Sequence, residues 1–583
     1  MRKPVHLFLA ACALAVVDVL FPSFTSAQVL VQARVVDAFS GEAIPFCTVV
    51  VKGEKQGVLT NSDGAFQLWA TSPNDSLTLA FMGHGTRTVS VGSVLNDPVI
   101  RLTASGIELR PLEVTRNDKL YRLMAESGQR LRKHHRYHSK LYFELETHSA
   151  GQAVEVVEAY YNATFDGPLI EGLDLKNGRI GMAPVDGRYF VSLNTTKAIA
   201  QLDVARDMGS FPGTPFQGSA KEVRKHFDLT LEGVQAGATP LYRIRFAPRV
   251  NDGTRFTGIA WLDTATLAPH RIELTCSDCS RHPFIPLWEG PKLDSVQLHF
   301  TQGFALHNGR PELDLVTLDY TLRYTSERRD DVIRSTGVMH VFDRGGAFIL
   351  PLFDYDAAQD DYRKITFLPY DSAFWTNAHG LLRTDQQQRD LDFFATHGNL
   401  VGHGRELLKQ ARFFESNYAF WAADKRIGMK HSFARKYYDE ELKHPQRSVA
   451  PAASQVELKA QLFLAMDTAN GTLRTFSATV FDGFKSYWLI PEEPETDCYI
   501  NLFFDLCEME RRRMMERLAG VNDVAQARRI HHEATKEMER TTERFRKECS
   551  LGHDRKALAR WNTIVKDALY IDNMALFGSK SAP

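Results

Sequence analysis

The sequence predicts a multidomain α+β protein with three parts. These are an N-terminal seven-stranded β-sandwich, a central large antiparallel sheet of half-barrel form, and a C-terminal helical unit that carries a β-hairpin. The chain has 583 residues, too many for one hydrophobic core. Short apolar runs separated by turn residues dominate it up to residue 350, whereas charged, helix-periodic segments dominate its end.

The first 27 residues are predicted to be a secretory signal peptide. Arg2 and Lys3 precede an apolar run, Leu7–Val17, and small residues end the segment at Ala27; this order is typical of signals removed on export. The run is too short to remain as a spanning helix. An alternative is that Leu9–Cys12 is a lipobox and that Cys12 is lipidated. The expected location is periplasmic or outer-membrane-associated, with extracellular as the alternative.

The charge balance of the chain limits which kinds of binding partner are expected. The chain has 70 Lys and Arg residues against 71 Asp and Glu residues, so no global field favours nucleic acid. No later segment has the ~20 apolar residues of a transmembrane helix. The expected partner is an envelope protein, or a glycan or lipid of the envelope, with no nucleic acid and no transmembrane span.

Residues 28–114 are expected to form the sandwich. Seven short strand-like runs fall between Val29 and Leu102, and turn residues separate them. Asp63-Gly64 marks a hairpin, because glycine adopts the positive φ that a tight turn needs.

The order of motifs in this segment resembles the carboxypeptidase-regulatory-like domain, a prealbumin-like sandwich. The matching motifs are Val36-Asp37-Ala38, Gly41–Pro45, Val51-Lys52-Gly53, Thr60–Phe66, Phe81–His84 and Leu112-Glu113-Val114. The resemblance implies an accessory module, of the kind found ahead of TonB-dependent transporters and in other envelope proteins. Carboxypeptidase activity is not carried over. Within the module, Cys47 is expected to be a buried apolar residue and His84 a partly exposed one.

Residues 115–138 are predicted to be a linker helix, and residues 139–350 an antiparallel β domain. Alternating apolar residues, as in Leu141–Glu146, indicate its strands. The sequence segments Gly258–Asp263 and Pro269–Ile272 resemble segments of periplasmic lipoprotein-carrier proteins. The resemblance implies a curved sheet that could hold an acyl chain, and the alternative is a closed, packed core.

Residues 351–450 are predicted to be irregular and helical, and residues 451–583 to combine a β-hairpin with helices. Asn470-Gly471, between two strand-like runs, is a strong signal for a type I′ turn. Further on, Leu502 and Leu506 recur on one face of a helix.

Six cysteines follow the signal peptide, and an even number in an exported chain permits disulfides. Cys276 and Cys279 form a C-x-x-C string after a strand. We interpret it as a local disulfide or two thiols, with metal binding as the alternative. Folding the C-terminal helices back on one another would bring Cys498 to Cys549, the preferred second disulfide, with Cys507–Cys549 as the alternative.

Histidines are the remaining candidates for a metal-binding or catalytic site. His134 and His138 would share a helix face if the linker helix continued, but no third ligand is near them in sequence. Nothing in the sequence fixes the geometry of His379, His397 and His403. His532-Glu533 begins like a metalloprotease helix, but Lys536 stands where the second histidine is required. No catalytic, cofactor-binding or metal-binding residue is assigned, and no cofactor is expected.

Three functions follow, in order of preference. The first is a non-catalytic exported envelope protein with a binding or structural role, in which the sandwich is an accessory interaction domain. The second is a periplasmic lipid or lipoprotein carrier that uses the curved sheet. The third is a metal-dependent enzyme with a dispersed histidine site. Because no catalytic motif is present, the protein is not expected to be an enzyme.

Overall fold

A computed structural model describes residues 29–54, 57–108, 118–185, 188–189, 191–237, 239–284, 292–327, 329–356, 359–368, 371–377, 380–402, 418–428, 431, 456–469, 471–488 and 493–577. The chain forms two compact units. One comprises the chain to Leu109 with Val234–Pro240 and His379–Gln388, and the other comprises the remainder. Within the described ranges, no helix is both long and apolar enough to span a membrane. The predicted signal peptide and Cys12 lie outside the described residues.

Seven strands build the body of the first unit. They are β1 (Val29–Asp37), β2 (Thr48–Val51), β3 (Gly57–Leu59), β4 (Ala65–Ala70), β5 (Ser76–Ala80), β6 (Arg87–Ser90) and β7 (Val99–Leu102). A helix, α1 (Val91–Asn96), precedes β7, and a short strand, β8 (Ile107–Glu108), follows it. One sheet has the order β4-β1-β7 and the other β3-β2-β5-β6. The predicted sandwich is therefore confirmed, with α1 as an addition.

Alternating apolar residues of the two sheets form the core of this unit. Val31, Val35 and Phe66 are completely buried, as is Cys47, which immediately precedes β2 of the facing sheet. Gly64 closes the turn before β4 with a φ of +75°, and a Cβ there would lie 2.4 Å from the carbonyl oxygen of Val35. Glycine is thus required at this turn both by its φ and by the lack of space.

The second unit contains a sheet of eleven antiparallel strands. Its strands, with the separate pair β12–β13, are β9 (Arg136–Ser149), β10 (Gln152–Asp166), β11 (Leu169–Met182), β12 (Pro184–Val185), β13 (Arg188–Tyr189), β14 (Phe227–Gln235), β15 (Leu241–Pro248), β16 (Thr257–Asp263), β17 (Pro269–Cys276), β18 (Lys292–His307), β19 (Arg310–Ser326), β20 (Arg329–Arg344) and β21 (Asn399–Val401). The sheet order is β21-β11-β10-β9-β20-β19-β18-β17-β16-β15-β14. The large antiparallel sheet that the sequence predicts is confirmed.

One face of this sheet is apolar, and three short helices that precede β14 in the chain pack on it. They are α2 (Asp118–Leu131), α3 (Leu193–Ala200) and α4 (Ala220–His226). Leu141, Phe143 and Leu145 alternate along β9 and pack in one core with residues of all three helices. The linker helix predicted over 115–138 ends at Leu131. It stops there because β9 begins at Arg136 and the backbone of His135 is already bonded to the β10–β11 turn.

The opposite face of the sheet is covered by a later segment of the chain. It contains α5 (Asp361–Phe367), α6 (Ser372–Asn377) and α7 (Asp385–His397). α6 and α7 lie on this opposite face. α5 instead packs on the face of α2 to α4, where Ile365 joins their core and Asp361 pairs with Lys197 of α3. The ring of Tyr160 on β10 lies 5.3 to 5.9 Å, centroid to centroid, from the rings of Phe348, Phe374 and Trp375. Such edge-on aromatic contacts stabilise a layer beyond the apolar area they bury. Both faces of the sheet are therefore packed in this region.

The C-terminal part of the second unit combines a hairpin with long helices. Its elements are β22 (Tyr418–Phe420), β23 (Val456–Glu457), β24 (Ala460–Ala469), β25 (Thr472–Asp482), β26 (Tyr487–Trp488), α8 (Pro494–Leu518), α9 (Val524–Cys549), α10 (Arg555–Leu569) and α11 (Asn573–Phe577). β24 and β25 pair antiparallel, and Gly471 in the connection has a φ of +74°. Asp523 caps α9 by accepting hydrogen bonds from the backbone N–H groups of Ala525 and Gln526. The hairpin and helices predicted here are confirmed.

Candidate functional site

The cysteines divide into one bonded pair and four free thiols among the described residues. Cys276 and Cys279 are joined by a disulfide at the end of β17. Cys498, Cys507 and Cys549 are free and buried, as is Cys47, so neither disulfide predicted to Cys549 is formed. Burial raises the pKa of the Cys498 and Cys549 thiols to about 12. The thiolate that disulfide exchange requires is therefore strongly disfavoured at these positions.

The histidines that the sequence singled out do not converge in the described chain. His134 lies before β9, with its Nδ1 2.6 Å from Asp166 Oδ2, whereas His138 on β9 lies 3.0 Å from the carbonyl oxygen of Gly345. The helix they would have shared ends before both. His397 stacks on the ring of Phe393. His379 and His403 lie outside the described residues.

A turn of the N-terminal unit presents an aromatic side chain to solvent. We call Asp37–Gly41 the aromatic turn, because its Phe39 has a relative exposure of 101%. Asp37 Oδ1 accepts hydrogen bonds from the backbone N–H groups of Phe39 and Ser40, at 2.9 and 2.8 Å. His84 Nε2 lies 2.9 Å from the other carboxylate oxygen of Asp37. Contacts to both carboxylate oxygens of Asp37 thus hold the turn in place.

The electrostatics of the aromatic turn favour an ionised Asp37. The backbone N–H of Ser40 and the ring of His84 lower the pKa of Asp37 to about 2. The acceptor on which the turn depends therefore stays charged across the physiological pH range. A second exposed aromatic lies at the other end of β1, where Trp69 of β4 is 54% exposed and pairs with Leu30.

Three ionisable side chains meet on the sheet face opposite the helices α2 to α4. Glu146 and His148 alternate on β9, and Asp390 lies on α7. His148 Nε2 is 3.2 Å from Glu146 Oε1 and 3.3 Å from Asp390 Oδ2. One ligand atom from each of the three lies within 4.8 Å of the other two. One imidazole nitrogen and two carboxylate oxygens are a donor set that can hold a divalent metal ion.

A buried carboxylate occupies the face that α2 to α4 cover. Glu155 on β10 accepts hydrogen bonds from the backbone N–H of Ser192, which precedes α3, at 3.0 and 3.1 Å and from its hydroxyl at 2.5 Å. The hydroxyl of Thr147 donates to the same carboxylate at 3.3 Å. Desolvation outweighs these donors and raises the pKa of Glu155 to about 7. The arrangement can therefore take up or release one proton near neutral pH.

Sequence reasoning missed each of these groups. Glu-x-His in an alternating strand was a usable signal, because residues i and i+2 of a strand share a face. Asp390 is separated from His148 by 242 positions, and no local pattern joins them. The only sequence signal for the exposure of Phe39 is that it is an apolar residue within a polar turn.

The structure defines the N-terminal unit as a two-sheet β-sandwich module. Residues 31–110 match the sequence model of the CarboxypepD_reg-like domain. This segment is a CarboxypepD_reg-like domain, as the motifs in the sequence predict. No curated protein matches the chain.

Several solved structures match part of the chain with low sequence identity and low TM-scores. A DUF1329 family protein from Desulfovibrio piger is 11% identical, with a TM-score of 0.16, and the match covers 42% of this chain and 95% of that one. A putative outer membrane lipoprotein-sorting protein domain from Vibrio parahaemolyticus is 12% identical, with a TM-score of 0.17 and coverage of 39% and 92%. A LolA superfamily protein from Nitrosomonas europaea is 8% identical, with a TM-score of 0.14 and coverage of 38% and 92%. At these TM-scores the likeness supports no statement about function.

Proposed function

We propose that this protein is an exported, non-catalytic binding protein whose CarboxypepD_reg-like domain docks an envelope protein through the aromatic turn. The observation that carries the proposal is the complete exposure of Phe39 on a turn that Asp37 holds in place. A solvated aromatic ring forgoes the ~1.5–3 kcal/mol that burial would supply. A binding partner would recover that free energy.

The construction of the turn supports docking. Aromatic side chains are enriched among the residues that dominate protein interfaces. A backbone segment that is already ordered before binding loses little conformational entropy on complex formation. Asp37 fixes the backbone of Phe39 and Ser40, and His84 fixes Asp37. The turn thus combines an apolar anchor with a rigid base.

Site-specific photo-cross-linking in the native envelope tests this proposal. A benzoylphenylalanine residue replaces Phe39 in one variant and Val250, an apolar residue of the other unit with 63% exposure, in the control. We expect a discrete cross-linked partner from position 39 and none from position 250. Adding Asp37→Ala is expected to reduce the yield at position 39 several-fold, because the turn loses its acceptor.

Two outcomes would contradict docking through this turn. Equal cross-linking from positions 39 and 250 would indicate random collision, and an absence of product at position 39 would indicate that nothing sits over the ring. A third variant with the probe at Trp69 distinguishes the aromatic turn from the outer face of the β4-β1-β7 sheet. A partner captured only from position 69 moves the docking surface to that face.

A lipid or lipoprotein carrier is the second candidate, and one observation favours it. The apolar face of the large sheet is covered by short helices, α2 to α4 together with α5, rather than by a second sheet. Separate helices of 14, 8 and 7 residues can move apart at lower cost than a continuous hydrogen-bonded layer. Movement of this cover would open an apolar surface able to take an acyl chain.

Native mass spectrometry of the protein purified from its own envelope separates the two candidates. For a docking protein we expect the mass of the polypeptide alone. A co-purifying lipid present at one per chain would favour the carrier. Substituting Met124 of α2, which is fully buried against the sheet, by Ala should then change lipid retention, whereas Phe39→Ser should not.

A further inference from the structure

The cluster of Glu146, His148 and Asp390 lies outside the docking turn and outside the cover of α2 to α4. Two of the three distances between its ligand atoms already match those of atoms that share a metal ion. An ion about 2.0–2.2 Å from each ligand holds neighbouring ligand atoms roughly 3.0–3.6 Å apart. The two His148 distances, 3.2 and 3.3 Å, fall in this range.

We propose that Glu146, His148 and Asp390 bind one divalent transition-metal ion, with Zn²⁺ as the best match. A neutral imidazole with two carboxylates carries a combined charge of −2, which one divalent cation balances. The mixed nitrogen and oxygen donors suit Zn²⁺, whereas Ca²⁺ and Mg²⁺ prefer oxygen alone. Water completes the coordination, since three protein ligands leave a position open.

The elements that carry the ligands are rigid, which a metal site requires. β9 is hydrogen-bonded on both edges, with Glu146 opposite Val156 of β10 and Thr336 of β20. α7 is anchored beside the cluster by Leu391 and Phe394, which pack with Val156 in a small core. Neither element needs to refold for the three side chains to meet.

The bound ion would tie α7 to the centre of the sheet. Asp390 is the only one of the three ligands that does not lie on β9, so the ion would join two elements that are far apart in sequence. A ligand that binds the folded state alone stabilises that state. Binding should therefore be visible as thermal stabilisation, independently of any activity.

A second histidine–carboxylate pair in the same unit provides a matched control. His135 Nε2 lies 2.8 Å from Glu312 Oε1, and the side chain of His135 is 24% exposed against 25% for His148. At this pair Arg310 lies 3.0 Å from His135 Nδ1, and Arg344 lies 3.4 Å from Glu312. Cations already occupy the surroundings of Glu312, so His135 should not bind metal.

The test uses the full mature chain, stripped of metal by a chelator and then titrated with Zn²⁺ alone. Isothermal titration calorimetry is expected to show one ion per chain, and Zn²⁺ should raise the melting temperature. His148→Gln and Asp390→Asn should each weaken binding at least about tenfold. His135→Gln should leave the affinity unchanged. X-ray absorption of the zinc-loaded wild type should fit nitrogen and oxygen ligands without sulfur.

The results that overturn the proposal are equally specific. Failure of the wild type to bind Zn²⁺ saturably would make the cluster a hydrogen-bonded triad only. Full affinity in a folded His148→Gln or Asp390→Asn variant would place the ion elsewhere, as would sulfur ligation in the absorption spectrum. Because the absorption measurement uses the wild type, sulfur ligation would overturn the proposal even if both variants fail to fold.

Discussion

Replacement of Glu155 by Gln is expected to stabilise the second unit by about 3 kcal/mol above pH 7 and to change its stability little below about pH 5. The folded-state pKa of Glu155 is about 7, against an ordinary value of 4.5. The folded state therefore favours the protonated carboxyl. Stability is fully present below the ordinary pKa, and it is lost as the pH rises through the folded pKa.

The amide fits the same contacts without a charge. Its oxygen can accept from the backbone N–H of Ser192, and its amino group can donate to the hydroxyl of Ser192 or Thr147. Urea titrations between about pH 5 and about pH 8 measure the effect. The variant should lose most of the decline in stability that the wild type shows over this interval. An unchanged pH dependence would show that Glu155 does not carry it.

Glu158→Gln is the control for this prediction, and its effect should have the opposite sign. Glu158 lies on the same strand, but both of its oxygens accept hydrogen bonds from the guanidinium of Arg179, at 2.6 Å each. Removing the negative charge leaves a mostly buried guanidinium without its carboxylate partner. We therefore expect Glu158→Gln to destabilise the protein by about 3 kcal/mol at neutral pH.

Asp505→Ala is expected to destabilise the C-terminal part of the second unit by about 3–5 kcal/mol. Asp505 is completely buried in α8. Its carboxylate accepts hydrogen bonds from Trp421 Nε1 at 2.7 Å, from Asn573 Nδ2 at 2.6 Å and from the guanidinium of Arg426 at 3.0 and 3.1 Å. Removing it leaves the mostly buried Arg426 charge and two polar donors without their acceptor.

Thermal denaturation followed by circular dichroism measures this loss, since α8 and its neighbours supply much of the helical signal. The control is Glu543→Ala on α9, where the carboxylate pairs with Lys547 and both side chains are more than half exposed. An exposed pair of this kind contributes about 0–1 kcal/mol. Equal melting temperatures for the two variants would show that the Asp505 cluster does not anchor the helices.

The elements that could be predicted from the sequence are those whose determinants are local. The turn at Gly64 and the connection at Gly471 each depend on a glycine with positive φ between alternating strands. The strands of both units could be predicted from alternating apolar and polar residues, since one face of each strand packs in a core. α1 could not be predicted from the sequence, because only two of its six residues, Val91 and Val94, are buried.

The features that could not be predicted depend on distant parts of the chain. The end of α2 is decided by β10 and β11, whose turn takes up the backbone of His135. The antiparallel arrangement of the C-terminal helices predicts a Cys498–Cys549 bridge, but both cysteines are free thiols in an apolar core assembled from several elements. The meeting of β9 with α7 likewise follows from tertiary packing alone.

The order of strands in the large sheet has a consequence for how the chain folds. β9 to β11 form one run of sequential hairpins and β14 to β20 another, so each run can form quickly from local contacts. The two runs meet only where β9 pairs with β20, as in the hydrogen bond from the Ser139 hydroxyl to the Phe342 carbonyl across 203 positions. We expect this seam to close late, because the residues that it pairs are much farther apart in sequence than those paired within either run, and closing a longer loop costs more entropy. Until it does, β9 and β20 are unpaired edges on which nascent chains can aggregate.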